Sequence, residues 1–136
     1  MKYFMYILFS VFLSLSFFSC SDDYREKGIE GQWQMRKIID ENGNEQHVDS
    51  IFYLFKKGVF KYIKMEDDLN PINAYGSYTE NDNMLTIEVL EIQSICPENE
   101  CLHWDGEDKR TFTIKKRNSS AMELEFNNDL YVFRKY

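Results

Sequence analysis

Three cysteines, at positions 20, 96 and 101, are the residues whose type and spacing could do covalent chemistry in this 136-residue chain. Cys96 and Cys101 are separated by Pro-Glu-Asn-Glu, too wide a spacing for a redox Cys-x-x-Cys pair. In an oxidising compartment such a pair is most simply a disulfide across a turn, and its entropic gain is modest because the closed loop is short. A metal site would need two further ligands. His103, Asp105 and Glu107 lie close by in sequence, but no second cysteine pair and no histidine pair at helical spacing joins them. Catalytic groups are equally sparse. No nucleophile motif frames any serine, His47 and His103 are far apart, and Glu123 and Glu125 share the outward side of one alternating segment, where they stay solvated. The residues therefore call for no enzyme, no cofactor and no metal.

Cys20 belongs to a different chemistry, set by what precedes it. Lys2 is followed by an almost wholly apolar run from Tyr3 to Phe18, then Ser19 and Cys20. A basic start, a short apolar core and a small residue before the cleavage point are the parts of a secretory signal. The run is shorter than the roughly 20 residues a membrane-spanning helix needs. The Ser-Cys pair at its end resembles the lipobox of bacterial lipoproteins, whose cysteine becomes the lipid-modified first residue of the mature protein. Ordinary secretion with cleavage nearby is the alternative. Asp22, Asp23 and Glu26 follow at once. That stretch resembles the acidic export signal of surface lipoproteins in Bacteroides-like bacteria; as bare chemistry it is a solvated tether. The resulting division is a signal peptide at 1–19, a lipidated tether at 20–28 and one domain at 29–136, exported and held at the outer membrane by its acyl (palmitate-type) chains, on the periplasmic face or the cell surface.

Loss of residues 1–19 removes one positive charge, Lys2, leaving 117 residues with 15 Lys+Arg against 23 Asp+Glu, a net charge of −8. That length makes one domain able to bury a core. The negative balance argues against nucleic acid and against an electrostatic grip of the whole domain on anionic lipid.

The domain that must position any site reads as strand after strand. Leu85, Ile87 and Val89 alternate with Thr86 and Glu88; Phe112 and Ile114 with Thr113 and Lys115; Met122, Leu124 and Phe126 with Glu123 and Glu125. A period of two with one apolar and one charged face marks a half-buried antiparallel strand. Eight segments qualify, at about 29–39, 50–56, 59–65, 74–80, 84–92, 109–116, 121–126 and 130–135. Turn residues such as Lys56-Lys57-Gly58 and Asn127-Asn128-Asp129 separate them. Short connections put successive strands side by side, and eight of them can close into an all-β, antiparallel up-and-down barrel. An immunoglobulin-like sandwich would need longer crossovers. The one long connection, 93–108, carries the cysteine pair, Trp104 and a run of acids. Its length predicts a functional loop.

Gly31-Gln32-Trp33 opens the first strand and Arg134 stands near the end of the last. The pattern resembles lipocalins, in which a Gly-x-Trp closes the barrel floor and a last-strand arginine packs across the tryptophan. Phe55-Lys56-Lys57-Gly58-Val59-Phe60 and Gly76-Ser77-Tyr78 extend the likeness to the small lipocalin-like lipoproteins of Bacteroides and relatives. The resemblance implies a lipocalin-like barrel over 29–136 with Gly31, Trp33 and Arg134 as its floor. It also implies a lumen, lined by Tyr53, Phe55, Tyr62, Tyr78 and Leu85, that holds a small apolar or amphipathic ligand.

Two functions follow. The first is ligand carriage in that lumen. The second is a filled barrel whose acidic loop 93–108, with Trp104 exposed, contacts a protein or glycan, an inhibitor of a basic enzyme being one form. Internal volume discriminates between them.

Overall fold

Alternation of apolar and polar side chains decides the architecture, because each strand can bury only one of its faces. The computed structural model describes residues 28–66, 70–93, 102, 104 and 107–136, and every regular element among them is a strand. In chain order these are β1 (Gly31–Ile39), β2 (Glu45–His47), β3 (Ile51–Lys56), β4 (Val59–Lys64), β5 (Ile72–Asn81), β6 (Met84–Gln93), β7 (Lys109–Arg117), β8 (Ala121–Phe126) and β9 (Asp129–Lys135). Apart from β2, each is one of the eight expected segments, shifted at its ends by two residues or fewer.

From β3 to β9 every strand pairs antiparallel with its successor, and β1 pairs with both β3 and β9. The ring is therefore closed, with eight strands in meander order. A sandwich is excluded. β1 divides its length to achieve this: Gly31–Gln34 lie against β3, while Trp33–Ile39 lie against β9. The extra strand, β2, hangs outside the ring on Lys37–Ile39 of β1. Its three residues, Glu45, Gln46 and His47, are all exposed. Backbone pairing and the Lys37–Glu45 ion pair hold it there, so no hydrophobic alternation betrays it in the sequence.

Closure needs bends, and three register shifts supply them, in β1 near Met35, between β5 and β6 at Tyr75/Gly76, and in β7 near Ile114. Gly76 is required at the second. A Cβ there would lie 2.0 Å from the Glu88 carbonyl oxygen, because the bulged β6 backbone fills that space. Tight turns complete the meander. Lys57 and Gly58 (φ 49° and 81°), like Asn127 and Asn128 (φ 50° and 67°), carry the paired positive angles of two-residue hairpins.

The inward faces form one core. Ile51, Tyr53 and Phe55 of β3, Phe60 and Tyr62 of β4, Leu85, Ile87 and Val89 of β6, Phe112 of β7 and Met122 and Leu124 of β8 are all buried, as the alternation predicts. The barrel has two unlike ends. The chain enters at Gly28 beside the β3–β4, β5–β6 and β7–β8 turns and the C-terminal Tyr136. The strand ends that flank the longer connections 40–50, 65–71 and 94–108 lie at the other end. The residues expected to carry lipid and a disulfide, Cys20, Cys96 and Cys101, lie outside the described residues, as do the expected signal peptide and His103.

Candidate functional site

At the closed end, Gly31 takes φ 121°, a backbone angle that only glycine adopts without strain, and so turns the incoming chain into β1. Two residues on, Trp33 is 1% exposed and fills the barrel floor. Its indole Nε1 donates to the Ile29 carbonyl at 2.7 Å, so the buried N–H is satisfied by the segment that leads into its own strand. The cation over the indole is Lys135, whose Nζ lies 4.9 Å from the ring and donates to the Glu30 carbonyl at 2.6 Å. This corrects the expectation for Arg134. On β9 the inward positions are Tyr131, Phe133 and Lys135, so period two turns Arg134 outward. There its Nη2 donates to Gln34 Oε1 at 2.9 Å.

Above the floor the lumen is aromatic. Tyr53 stands at its centre, with ring centroids 5.1 Å from Phe60, 5.9 Å from Tyr62 and 5.0 Å from Phe133. Phe55 touches Tyr53, Phe60 and the half-buried Tyr78. The structure thus brings Tyr53, Phe55, Tyr62 and Tyr78 together, and Leu85 joins the same core at 0% exposure. All five face inward as expected. Four of them are at most 1% exposed, so they pack on neighbours where an open lining was expected.

Much of that packing comes from the long connection. The filled-barrel alternative has Trp104 exposed; it is instead 1% exposed inside the barrel, and Leu102 is buried with it. Its ring stacks on Phe60 at 6.2 Å with an interplanar angle of 21° and meets Phe112 edge-on. Its Nε1 donates to the Tyr53 hydroxyl at 3.1 Å. An indole in water would expose a large apolar face; in the barrel that face is covered and its single N–H is partnered.

The lumen also holds a charge. Arg110 is 2% exposed, with its guanidinium 4.1 Å from the Phe126 ring centre and 5.3 Å from that of Trp104. Its Nη1 donates to the Tyr131 hydroxyl at 3.4 Å. Burial raises the Tyr53 and Tyr62 hydroxyls well above the ordinary value of 10.0, with the Trp104 hydrogen bond pulling Tyr53 back only in part. Both are neutral groups at physiological pH, able to donate as well as accept.

Sequence reasoning missed Arg110, Trp104 as a lumen residue, and Lys135. Arg110 was legible, because it stands two residues before the inward Phe112. Nothing in the sequence around Trp104 distinguishes a buried from an exposed tryptophan. Among the described residues, no group of His, Cys, Asp or Glu could hold a metal ion.

Two solved structures share this architecture. A lipocalin-like protein from Bacteroides uniformis is 29% identical, with a TM-score of 0.70 over 79% of this chain and 97% of that one. A protein from Bacteroides eggerthii is also 29% identical, with a TM-score of 0.69 over 79% of this chain and 98% of that one. No curated protein matches. The sequence profile of the lipocalin-like domain matches residues 13–136, nearly the whole chain, and together with the closed meander it makes this chain a member of the lipocalin-like domain family.

Proposed function

We propose that this protein is an exported lipoprotein, anchored through Cys20 at the outer membrane, whose barrel binds a small apolar or amphipathic molecule. It acts by binding and not by catalysis, and a Cys96–Cys101 bridge staples the connection that delivers Trp104. One observation carries the ligand reading: the lumen already holds an amphipathic guest in the indole of Trp104. Phe60 stacks on it, Phe112 meets it edge-on and Tyr53 takes its polar edge. A ligand of similar build, planar and apolar with a polar end, fits the same aromatic walls in place of the indole. Its polar end would meet the Tyr53 hydroxyl and the Arg110 guanidinium.

Native mass spectrometry of protein purified from its own host tests this directly, since a carrier retains a small molecule at unit stoichiometry. Trp104 emission in a Trp33→Phe background then reports displacement of the indole as that molecule is titrated back. A bare mass, with emission unchanged across fatty acids and small aromatic acids, overturns the reading. A second reading is favoured by the near-complete burial of Tyr53, Phe55, Tyr62 and Leu85. In it the barrel is permanently filled, and the acidic connection ending at Glu107 and Asp108 contacts a protein or glycan. Capture of a stable complex by protein whose lumen never exchanges Trp104 would favour that alternative.

A further inference from the structure

We propose that the closed end of the barrel is the face held against lipid headgroups, so that the open end and Trp104 look away from the membrane. The proposal rests on the anchor at Cys20 and adds an orientation to it. Two independent observations support it.

The first is where the chain enters. Gly28 lies at the closed end, eight residues after Cys20. A flexible chain of that length spans about 16 Å on average, and about 27 Å when fully stretched. The ten-residue strands β5 and β6 give the barrel a height of roughly 25 Å once strand tilt is allowed for. Bringing the open end to the membrane would stretch the tether almost straight along the barrel wall. Bringing the closed end there asks nothing of it.

The second observation is charge. Among described residues that lie in the open-end connections or at the strand ends there, eight are carboxylates, Asp40, Glu41, Glu66 and Asp129 among them. Lys64 and Lys109 oppose them there, and Arg36 and Lys37 of β1 pair with two of the eight, Asp49 and Glu45. At the closed end the charges balance, with Lys56, Lys57, Arg117 and Lys135 against Glu30, Asp82, the terminal carboxylate and Glu80, which pairs with Arg117. An anionic surface repels the first end and leaves the second free to approach, even though the domain as a whole is too negative to bind such a surface unaided. Exposed apolar side chains decide nothing, because Val59, Met84 and Tyr136 at one end match Met65, Leu90 and Ile92 at the other. The closed end also carries an open groove of about 650 Å³, bordered by Leu54, Lys56, Lys57, Tyr136 and Glu30, whose carboxylate accepts from the Lys57 backbone N–H; phosphate headgroups can approach the lysine side chains there.

The test uses full-length protein purified with its acyl chains and placed in vesicles of phosphatidylethanolamine with phosphatidylglycerol and a nitroxide-headgroup lipid. Tryptophan probes are introduced singly as Lys56→Trp or Tyr136→Trp at the closed end and Glu41→Trp at the open end. All three positions are exposed, so the fold is spared. Added emission from either closed-end probe should be quenched several-fold more strongly than that from Glu41→Trp. Equal or reversed quenching in protein whose mass shows an acylated Cys20 overturns the orientation alone. An unmodified Cys20 overturns the anchor, and the orientation with it.

Discussion

Both ends of this barrel are stopped by a tryptophan, yet the two stoppers are held in different ways. Trp33 sits within the β1 ladder, bonds to a carbonyl four residues earlier and lies under Lys135 of the strand that closes the ring. It cannot leave without opening the sheet. Trp104 comes from a connection, and its indole N–H bonds to the side chain of Tyr53, 51 residues away in sequence. Among the described residues its ties to the strands are side-chain contacts, and its carbonyl accepts from Glu107 N–H within its own connection. The closed end is thus part of what makes the barrel, whereas the open end is a guest of a barrel already made. Stability should concentrate at the first and exchange at the second.

The largest expected effect tests that contrast. Trp33→Ala should cost about 5 kcal/mol, the upper end for truncating a buried aromatic, since a floor cavity and an unpartnered Ile29 carbonyl are left in a wall that cannot collapse. Trp104→Ala should cost less, about 3 kcal/mol, because the connection can shift and water can reach the vacated lumen. Urea denaturation of both variants measures the difference. Trp104→Ala should in addition gain affinity for an apolar fluorescent probe, which Trp33→Ala should not. Equal costs with no gain in probe binding would erase the distinction between the ends.

High pH sharpens the comparison at the lumen. Tyr53 and Tyr62 are held neutral by burial, so their folded-state values lie above the unfolded value near 10.0. The unfolded chain then loses these protons first as pH rises. Stability is full below pH 10 and falls as the pH climbs from there towards the folded-state values, by about 1.4 kcal/mol per tyrosine per pH unit. Denaturation midpoints that stay level from pH 8 to 10 and drop beyond it, as phenolate absorbance appears together with unfolding, are the expected result. Phenolate forming in the still-folded protein would show that water already reaches the lumen.

How much of this was legible in the sequence follows from which force shaped each part. The eight ring strands were readable because burial wrote an alternation into them: Leu85, Ile87 and Val89 face in, and Thr86 and Glu88 do not. Gly31 and Gly76 were readable as a pattern, though their reasons, a positive φ and a close backbone approach, needed coordinates. β2 was not readable, since exposed Glu45, Gln46 and His47 bury nothing and are ordered by the β1 backbone and one ion pair to Lys37. Trp104 failed for another reason. Whether a loop tryptophan is outside or inside depends on the room left by residues such as Phe60 and Phe112, distant in sequence. No local pattern records that room.

The smallest prediction concerns the cation at the floor, where one position separates a structural role from a surface one. Lys135 and Arg134 are neighbours, but period two gives the first to the lumen side and the second to the outside. Lys135 lies over the Trp33 ring and supplies a charge-assisted hydrogen bond to the Glu30 carbonyl, the residue at which the chain enters β1. Truncating it removes both, and Lys135→Ala should cost about 2 kcal/mol, the sum of a partly buried cation–π contact and a charged hydrogen bond. Arg134→Ala loses an outward hydrogen bond to Gln34, which Arg36 also serves, and should cost less than about 1 kcal/mol. Urea midpoints for the two variants decide the matter. If Arg134→Ala proved the more damaging, the arginine would be the true partner of the indole, and β9 would have to sit one residue out of the register described here.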